Sequence, residues 1–333
     1  MENNKTIVLQ NKPYVMSYAA VGGKKEKNGP LGNCFDFTSE DSLFGEDSYE
    51  KAEARMQQIA VQLALEKANY EYSDIDCIFA GDLLNQCIGS SFKLRTTDMP
   101  FVGVYGACST MALTLLLASV FINSGVAKKT VSVTSSHFCS AERQYRFPLE
   151  YGSQRTPTAQ WTVTGSGAVV LTNEPQKAYV NAVTIGAVKD MGVSDQNNMG
   201  AAMAPAAADT IKRFLTDTNT TPEDYDVIFT GDLGSVGSNL LYELLSKEGI
   251  DIKAKHKDCG MMIFDIEDQD VHAGASGCGC SASVLTGHIL KKLEKGEYNN
   301  ILFCATGALL SPTSVLQGET IPSIAHLINF KLK

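Results

Sequence analysis

Ile78-Phe79-Ala80-Gly81-Asp82-Leu83 returns 150 residues later as Ile228-Phe229-Thr230-Gly231-Asp232-Leu233, and Asp76 and Asp226 precede the two copies at the same distance. Each copy reads as a short buried strand that ends in a Gly-Asp turn before a helix. A fainter pairing follows in each half. Gly106-Ala107-Cys108-Ser109 leads into the mostly apolar run 111–122 and then Thr130-Val131-Ser132-Val133-Thr134. Ser276-Gly277-Cys278-Gly279 leads through a helix to Asn300-Ile301-Leu302-Phe303-Cys304. The spacing predicts two similar βαβ halves, residues 1–174 and 175–333, forming one compact unit and joined at the polar Glu174-Pro175-Gln176-Lys177. Alternating strands and helices predict an α/β protein with largely parallel sheets and helices on their faces.

Composition removes several function classes. The longest apolar run, 111–122, falls short of the roughly 20 residues that span a bilayer. Residues 1–10 contain no apolar signal-peptide core, so a cytoplasmic protein is expected. A formal charge of −9 without a basic stripe argues against nucleic acid as a partner. Nine cysteines, an odd number scattered through apolar stretches, read as reduced thiols. Cys278-Gly279-Cys280 has no matching second pair, so no metal site is expected there. Asp47 is positioned to cap a long helix. Its apolar stripe is Ala52, Met56, Ile59, Ala60 and Leu63, with Glu50, Lys51, Glu53 and Arg55 expected away from it.

Cys108 carries the chemistry. A strand that turns through Gly-Ala-Cys into a helix places the sulfur at unpaired N–H groups and the positive end of the helix dipole. That arrangement makes either a nucleophile or an anion-binding pocket.

Four stretches carry a resemblance that runs nearly end to end. They are residues 44–53 (Phe-Gly-Glu-Asp-Ser-Tyr-Glu-Lys-Ala-Glu), residues 106–111, Pro148-Leu149-Glu150-Tyr151-Gly152 on to Gln160-Trp161-Thr162-Val163-Thr164-Gly165, and Gly277-Cys278-Gly279-Cys280-Ser281-Ala282. The chain resembles the thiolase superfamily and, within it, the stage V sporulation protein AD family of spore-forming Firmicutes. The resemblance implies a five-layer α-β-α-β-α fold built from the two halves, and a homodimer. It also implies non-enzymatic binding of dipicolinic acid (pyridine-2,6-dicarboxylate) or its calcium chelate. The protein would then act in uptake into the developing spore beside membrane-embedded channel subunits, peripherally on the forespore or spore inner membrane. No cofactor is implied, apart from calcium accompanying the ligand.

Condensing enzymes of this fold combine a cysteine with a histidine and a second histidine or asparagine. Relatives resembling ketoacyl-carrier-protein synthase III carry the histidine after the strand that matches residues 227–230. Asp232 stands there in this chain, and the turn 272–278 contains no asparagine. The resemblance therefore favours a retained pocket. The alternative is a Cys-dependent acyl-transfer or condensing enzyme on a CoA or carrier thioester, with Cys108 and His272 as its catalytic residues.

A planar dicarboxylate calls for a flat apolar surface with donors or cations at both ends. The segment after residues 130–134 offers Ser135, Ser136, His137, Arg143 and Arg146 at the carboxyl end of a parallel strand, where ligands gather. Trp161, the single tryptophan, is a candidate stacking platform. Cys108, Asp232, His272 and Cys278 complete the expected ligand-binding set, with Asp232 or Glu142 as calcium ligands. Each has a plain structural reading too: Asp82 and Asp232 as helix N-caps, His137 as a satisfied structural histidine, Arg143 and Arg146 as solvated charges, Trp161 as a core or interface aromatic.

Overall fold

A computed structural model describes residues 5–145 and 155–333. Ten strands form its frame. The first half supplies β1 (Tyr14–Gly22), β2 (Cys77–Gly81), β3 (Phe101–Gly103), β4 (Lys129–Ser136) and β5 (Gly165–Thr172). The second supplies β6 (Ala178–Thr184), β7 (Val227–Thr230), β8 (His256–Asp258), β9 (Asn300–Ala308) and β10 (Ser323–Leu332). Their order is β3-β2-β4-β5-β1 in one half and β8-β7-β9-β10-β6 in the other, the same path twice. The two paths meet where Tyr14 pairs with Tyr179. In each half only the fifth strand runs against the rest: β5 is antiparallel to β4 and β1, and β10 to β9 and β6.

Among the helices packed on this frame are α1 (Tyr49–Ala68), α2 (Ile88–Leu94), α3 (Thr110–Asn123), α4 (Phe138–Tyr145), α5 (Met199–Thr218), α6 (Gly234–Ser246) and α7 (Cys278–Val284). The layers follow from the period-two alternation of strands buried on both faces. In β2, Ile78 and Ala80 join Met56, Ala60 and Ala64 of α1, whereas Phe79 turns inward to Met111 and Leu115 of α3. In β7, Ile228 joins Ile211 of α5 and Leu241 of α6, whereas Phe229 faces the same central layer as Phe79. That central layer holds α3 and α7, giving α-β-α-β-α.

The duplication extends to details. α1 and α5 both end on a left-handed asparagine, Asn69 and Asn219. Asp76 then accepts from the N–H groups of Lys128 and Lys129, while Asp226 accepts from those of Asn299 and Asn300. Each aspartate therefore holds the start of the strand beside its own. Ser48, not Asp47, caps α1, its Oγ accepting from Lys51 N at 3.4 Å. Among the described residues no helix is long and apolar enough to cross a membrane.

The two halves close tightly around the turn at Cys108. A Cβ added to Gly307, near the end of β9, would stand 2.3 Å from the Gly106 carbonyl oxygen and 3.0 Å from Ser109 N. Both are backbone atoms that cannot swing aside. Gly307→Ala is therefore expected to lower unfolding free energy by about 2 kcal/mol, read by guanidinium titration. An unchanged midpoint would mean that this contact yields freely.

Candidate functional site

β3 runs into the turn through Gly106. Ala107 follows with φ +51°, a left-handed conformation unfavourable for a residue with a Cβ. The turn is held by Ser109 Oγ donating to Gly106 O (2.6 Å), Thr110 Oγ1 donating to Ala107 O (2.6 Å), and Gly106 N donating to Thr110 Oγ1 (3.1 Å). These bonds set Cys108 at the start of α3, with the side chain on the floor of a cleft. The cleft encloses about 530 Å³ of empty space including its mouth. Leu83, Ala141, Met199 and Leu310 form apolar walls, and Thr162 and Ser276 stand beside the sulfur. Ser276 Oγ lies 3.9 Å from Cys108 Sγ.

The second half approaches the same point. Gly277, at φ +103°, turns the chain into α7, and the site has no room for a Cβ because Ser136 Oγ would be 2.6 Å away. Cys278 packs against Cys108 in one buried cluster. Asp232 joins the two. Fully buried, it accepts from Gly277 N at 2.9 Å and Thr306 Oγ1 at 2.9 Å, and the Cys108 thiol hydrogen-bonds to it.

The electrostatics oppose a nucleophile. Burial first, and the Asp232 carboxylate second, push the Cys108 thiol well above its ordinary range. These effects outweigh the helix terminus. Burial likewise raises Asp232 to about 7, against the hydrogen bonds that favour its charge.

All five histidines lie among the described residues, and none lines the cleft. His137 is 1% exposed; Cys139 N donates to its Nδ1 (3.1 Å), so Nε2 carries the proton and donates to Ser42 O (2.8 Å). His272 stands with Nδ1 at Thr156 O (2.7 Å) and Nε2 at Asp270 (3.0 Å), which leaves the Cys108–His272 pairing without contact. His256 lies in a chain with Tyr242, Thr230 and Asp258, and His326 Nδ1 accepts from Gly186 N.

Other expected site residues are already engaged. Ser135 Oγ donates to Glu53 (3.0 Å), and Ser136 Oγ donates to Val163 O (2.7 Å). Trp161 is stacked on Phe138 at 4.0 Å, and Lys25 Nζ (4.1 Å) and the Arg155 guanidinium (4.8 Å) lie over its ring. Arg143 pairs with Glu50. Arg146 and the stretch 148–152 lie outside the described residues. Asp82 accepts from Leu84 N, Ser90 N and Ser90 Oγ (2.6–2.9 Å), a role close to the capping expected of it. The sulfurs of Cys278 and Cys280 donate to different carbonyls, Ser135 O and Gly231 O. Among the described residues no group of three or more His, Cys, Asp or Glu side chains is placed to hold a metal.

The expected polar face of α1 needs correction. Glu53 and Gln57 are fully buried, and Glu53 accepts from Ser135 and Ser140 (2.7 Å). Gln57 donates toward Gly81 O, Ser90 Oγ and Ser135 Oγ, so α1 is bonded to α2, α4 and β4 through the interior. Helical spacing could have shown this, since Glu53 and Gln57 fall beside Ala60 and Ala64. Thr306, also missed, is reached by extending the repeat: the 171-residue offset between Lys129 and Asn300 carries Ser135 onto Thr306.

The family model for stage V sporulation protein AD (SpoVAD) matches residues 3–331. A curated relative, "Stage V sporulation protein AD" of Bacillus subtilis (strain 168), is 46% identical over 331 residues, covering 99% of this chain and 98% of the relative. Solved structures share the fold at low identity. 3-oxoacyl-[acyl-carrier-protein] synthase III from Aquifex aeolicus VF5 superposes with a TM-score of 0.57 at 15% identity, over 96% of this chain and 99% of that one. Cerulenin-bound OleA of Xanthomonas campestris gives 0.61 at 15% identity, over 97% and 98%.

Burial of carboxyls makes stability pH-dependent. Asp232 and Glu26 are raised to about 7, and Glu53 is pushed well above the carboxylate range by burial and by Asp82. A carboxyl whose folded pKa exceeds its unfolded value contributes stability that is complete below the unfolded pKa and lost as pH rises through the folded one. Histidines lowered by burial act below about pH 6.5, and the lowered surface carboxylates act lower still. The melting temperature is thus expected to fall by several degrees from about pH 6.5 to about pH 8.5. Glu53→Gln should flatten that slope in differential scanning fluorimetry; a rise with pH would contradict the assignment.

Proposed function

Because this chain belongs to the stage V sporulation protein AD family, we propose that it is a non-enzymatic binding protein for dipicolinic acid, taken as its calcium chelate. In this reading it serves uptake into the developing spore, beside membrane-embedded channel subunits and peripherally on the forespore membrane. The observation that carries the reading is the partner of Cys108. Where condensation needs an imidazole, this site has Asp232, and burial together with that carboxylate keeps the sulfur a thiol. What remains is an apolar-walled cleft with hydroxyl groups on its floor. The described lining is mainly apolar, so a neutral chelate suits it better than a free dianion.

The strained turn at Ala107, with the sulfur on the cleft floor, favours the alternative acyl-transfer reading. Two measurements separate them. Dipicolinate with calcium, titrated into the protein, is expected to give binding heat and a change in Trp161 emission, with affinity reduced roughly threefold to tenfold in Cys108→Ala. Acetyl-CoA or malonyl-CoA is expected to leave the intact mass unchanged. An acyl adduct lost in Cys108→Ala would establish the alternative, and absence of dipicolinate binding with and without calcium would sink the first reading.

In the same reading the chain would form a homodimer through β3, a short strand at one end of the sheet path whose Phe101 is 41% exposed. Phe101→Asp is expected to shift the sedimenting species from dimer to monomer mass. A wild-type monomer would overturn this placement.

A further inference from the structure

The cleft above Cys108 adjoins a second recess. Tyr105, Tyr145 and Leu310 line both, and the outer recess, about 640 Å³ including open space, is bounded by Asn85, Cys87 and Pro312 among others. The two tyrosines stand where the spaces meet. Tyr145 OH donates to Leu83 O at 2.5 Å and so has no proton left for its neighbour. Tyr105 OH, 3.0 Å away, is therefore the donor to Tyr145 OH. The resulting chain, Tyr105 to Tyr145 to Leu83 carbonyl, crosses the junction.

Its anchor is a held loop. Gln144 Nε2 donates to the same Leu83 carbonyl (3.0 Å), and Asn85 N donates to Gln144 Oε1 (3.1 Å). Gln86 and Cys87 follow with φ +54° and +52°, two successive left-handed residues that are not glycine. Strain of this kind persists where surrounding contacts impose it and gathers at ligand clamps. Burial also pushes both phenols upward, Tyr105 to about 12, so the pair stays neutral and bonded at working pH.

We propose that the Tyr105–Tyr145 hydroxyl pair bars the passage between the outer recess and the chamber over Cys108, and that a small planar carboxylate entering from the outer recess reaches the chamber by parting it. The inference rests on the reading of that chamber as the ligand site. One neutral hydrogen bond must break for each passage, so the bar governs rates of entry and exit together.

Tyr105→Phe keeps the ring and removes the donor. Stopped-flow Trp161 emission with calcium and dipicolinate is expected to show association and dissociation both faster by roughly threefold to tenfold. Unchanged rates, or a change in dissociation alone, would overturn the bar; the latter would make Tyr105 a ligand contact. A ligand-free arm uses prolonged iodoacetamide treatment at about pH 9, where the small thiolate fraction of a raised thiol is drawn off, with alkylation located by peptide mass mapping. Cys108 should label faster in Tyr105→Phe, while Cys87, already in the outer recess, labels as in the wild type. If the wild type binds no dipicolinate, the functional reading fails while alkylation still decides the bar. If Cys108 labelling is not accelerated, the bar fails whatever the ligand.

Discussion

A buried carboxylate at the meeting point of two repeats organises this molecule. Asp232 accepts from the backbone that opens α7 and from Thr306 on β9, and it faces the sulfur that opens α3. An ionised group so deep is tolerated only when donors surround it. Three do here, each from a different part of the chain. The approach of the halves, and Gly307 packed against the Gly106 carbonyl, place those donors. Loss of any one would leave a buried acceptor short, which ties the geometry of the cleft floor to the packing of the central layer.

The same position in the other repeat has taken a different role. Asp82 spends its oxygens on Leu84 and Ser90, holding α2 within its own half. Thr306 corresponds to Ser135, yet Thr306 serves Asp232 and Ser135 serves Glu53. Duplication supplied two equivalent polar pairs. One divided its work between a hold on α2 and an interior brace with α1; the other came to lie buried beneath the cleft. The divergence is local, since the frame around both keeps one strand order.

That frame was legible in the sequence because it rests on short-range signals: strands buried on both faces, a Gly-Asp turn, and an aspartate ahead of each copy. The site was less so. His137 and Trp161 were reasonable candidates by residue type, but each finds its partners within a few residues or across a neighbouring loop, which no spacing reveals. Glu53 was misjudged for the opposite reason. Amphipathic reasoning assigns a charged residue to solvent, and only a buried network of hydroxyls around it reverses that. Tyr105 and Tyr145 carry no motif at all; their hydroxyls meet directly across 40 residues of sequence, with Tyr145 held by the Leu83 carbonyl.

Charge then bears on the ligand form. Two like charges about 4 Å apart repel by roughly 4 kcal/mol at an effective dielectric of about 20. In the proposed reading a free pyridine dicarboxylate entering above Asp232, when that carboxyl is ionised, would meet such repulsion between walls of apolar side chains. Chelation by one divalent cation cancels the ligand's two charges and leaves a flat, neutral body that apolar walls accept. In that reading the metal's remaining positions would prefer oxygen ligands such as the hydroxyls of the lining. The carboxyl that stands where condensation needs an imidazole disfavours thioester chemistry at Cys108, which is why the proposed reading leaves the chamber to binding.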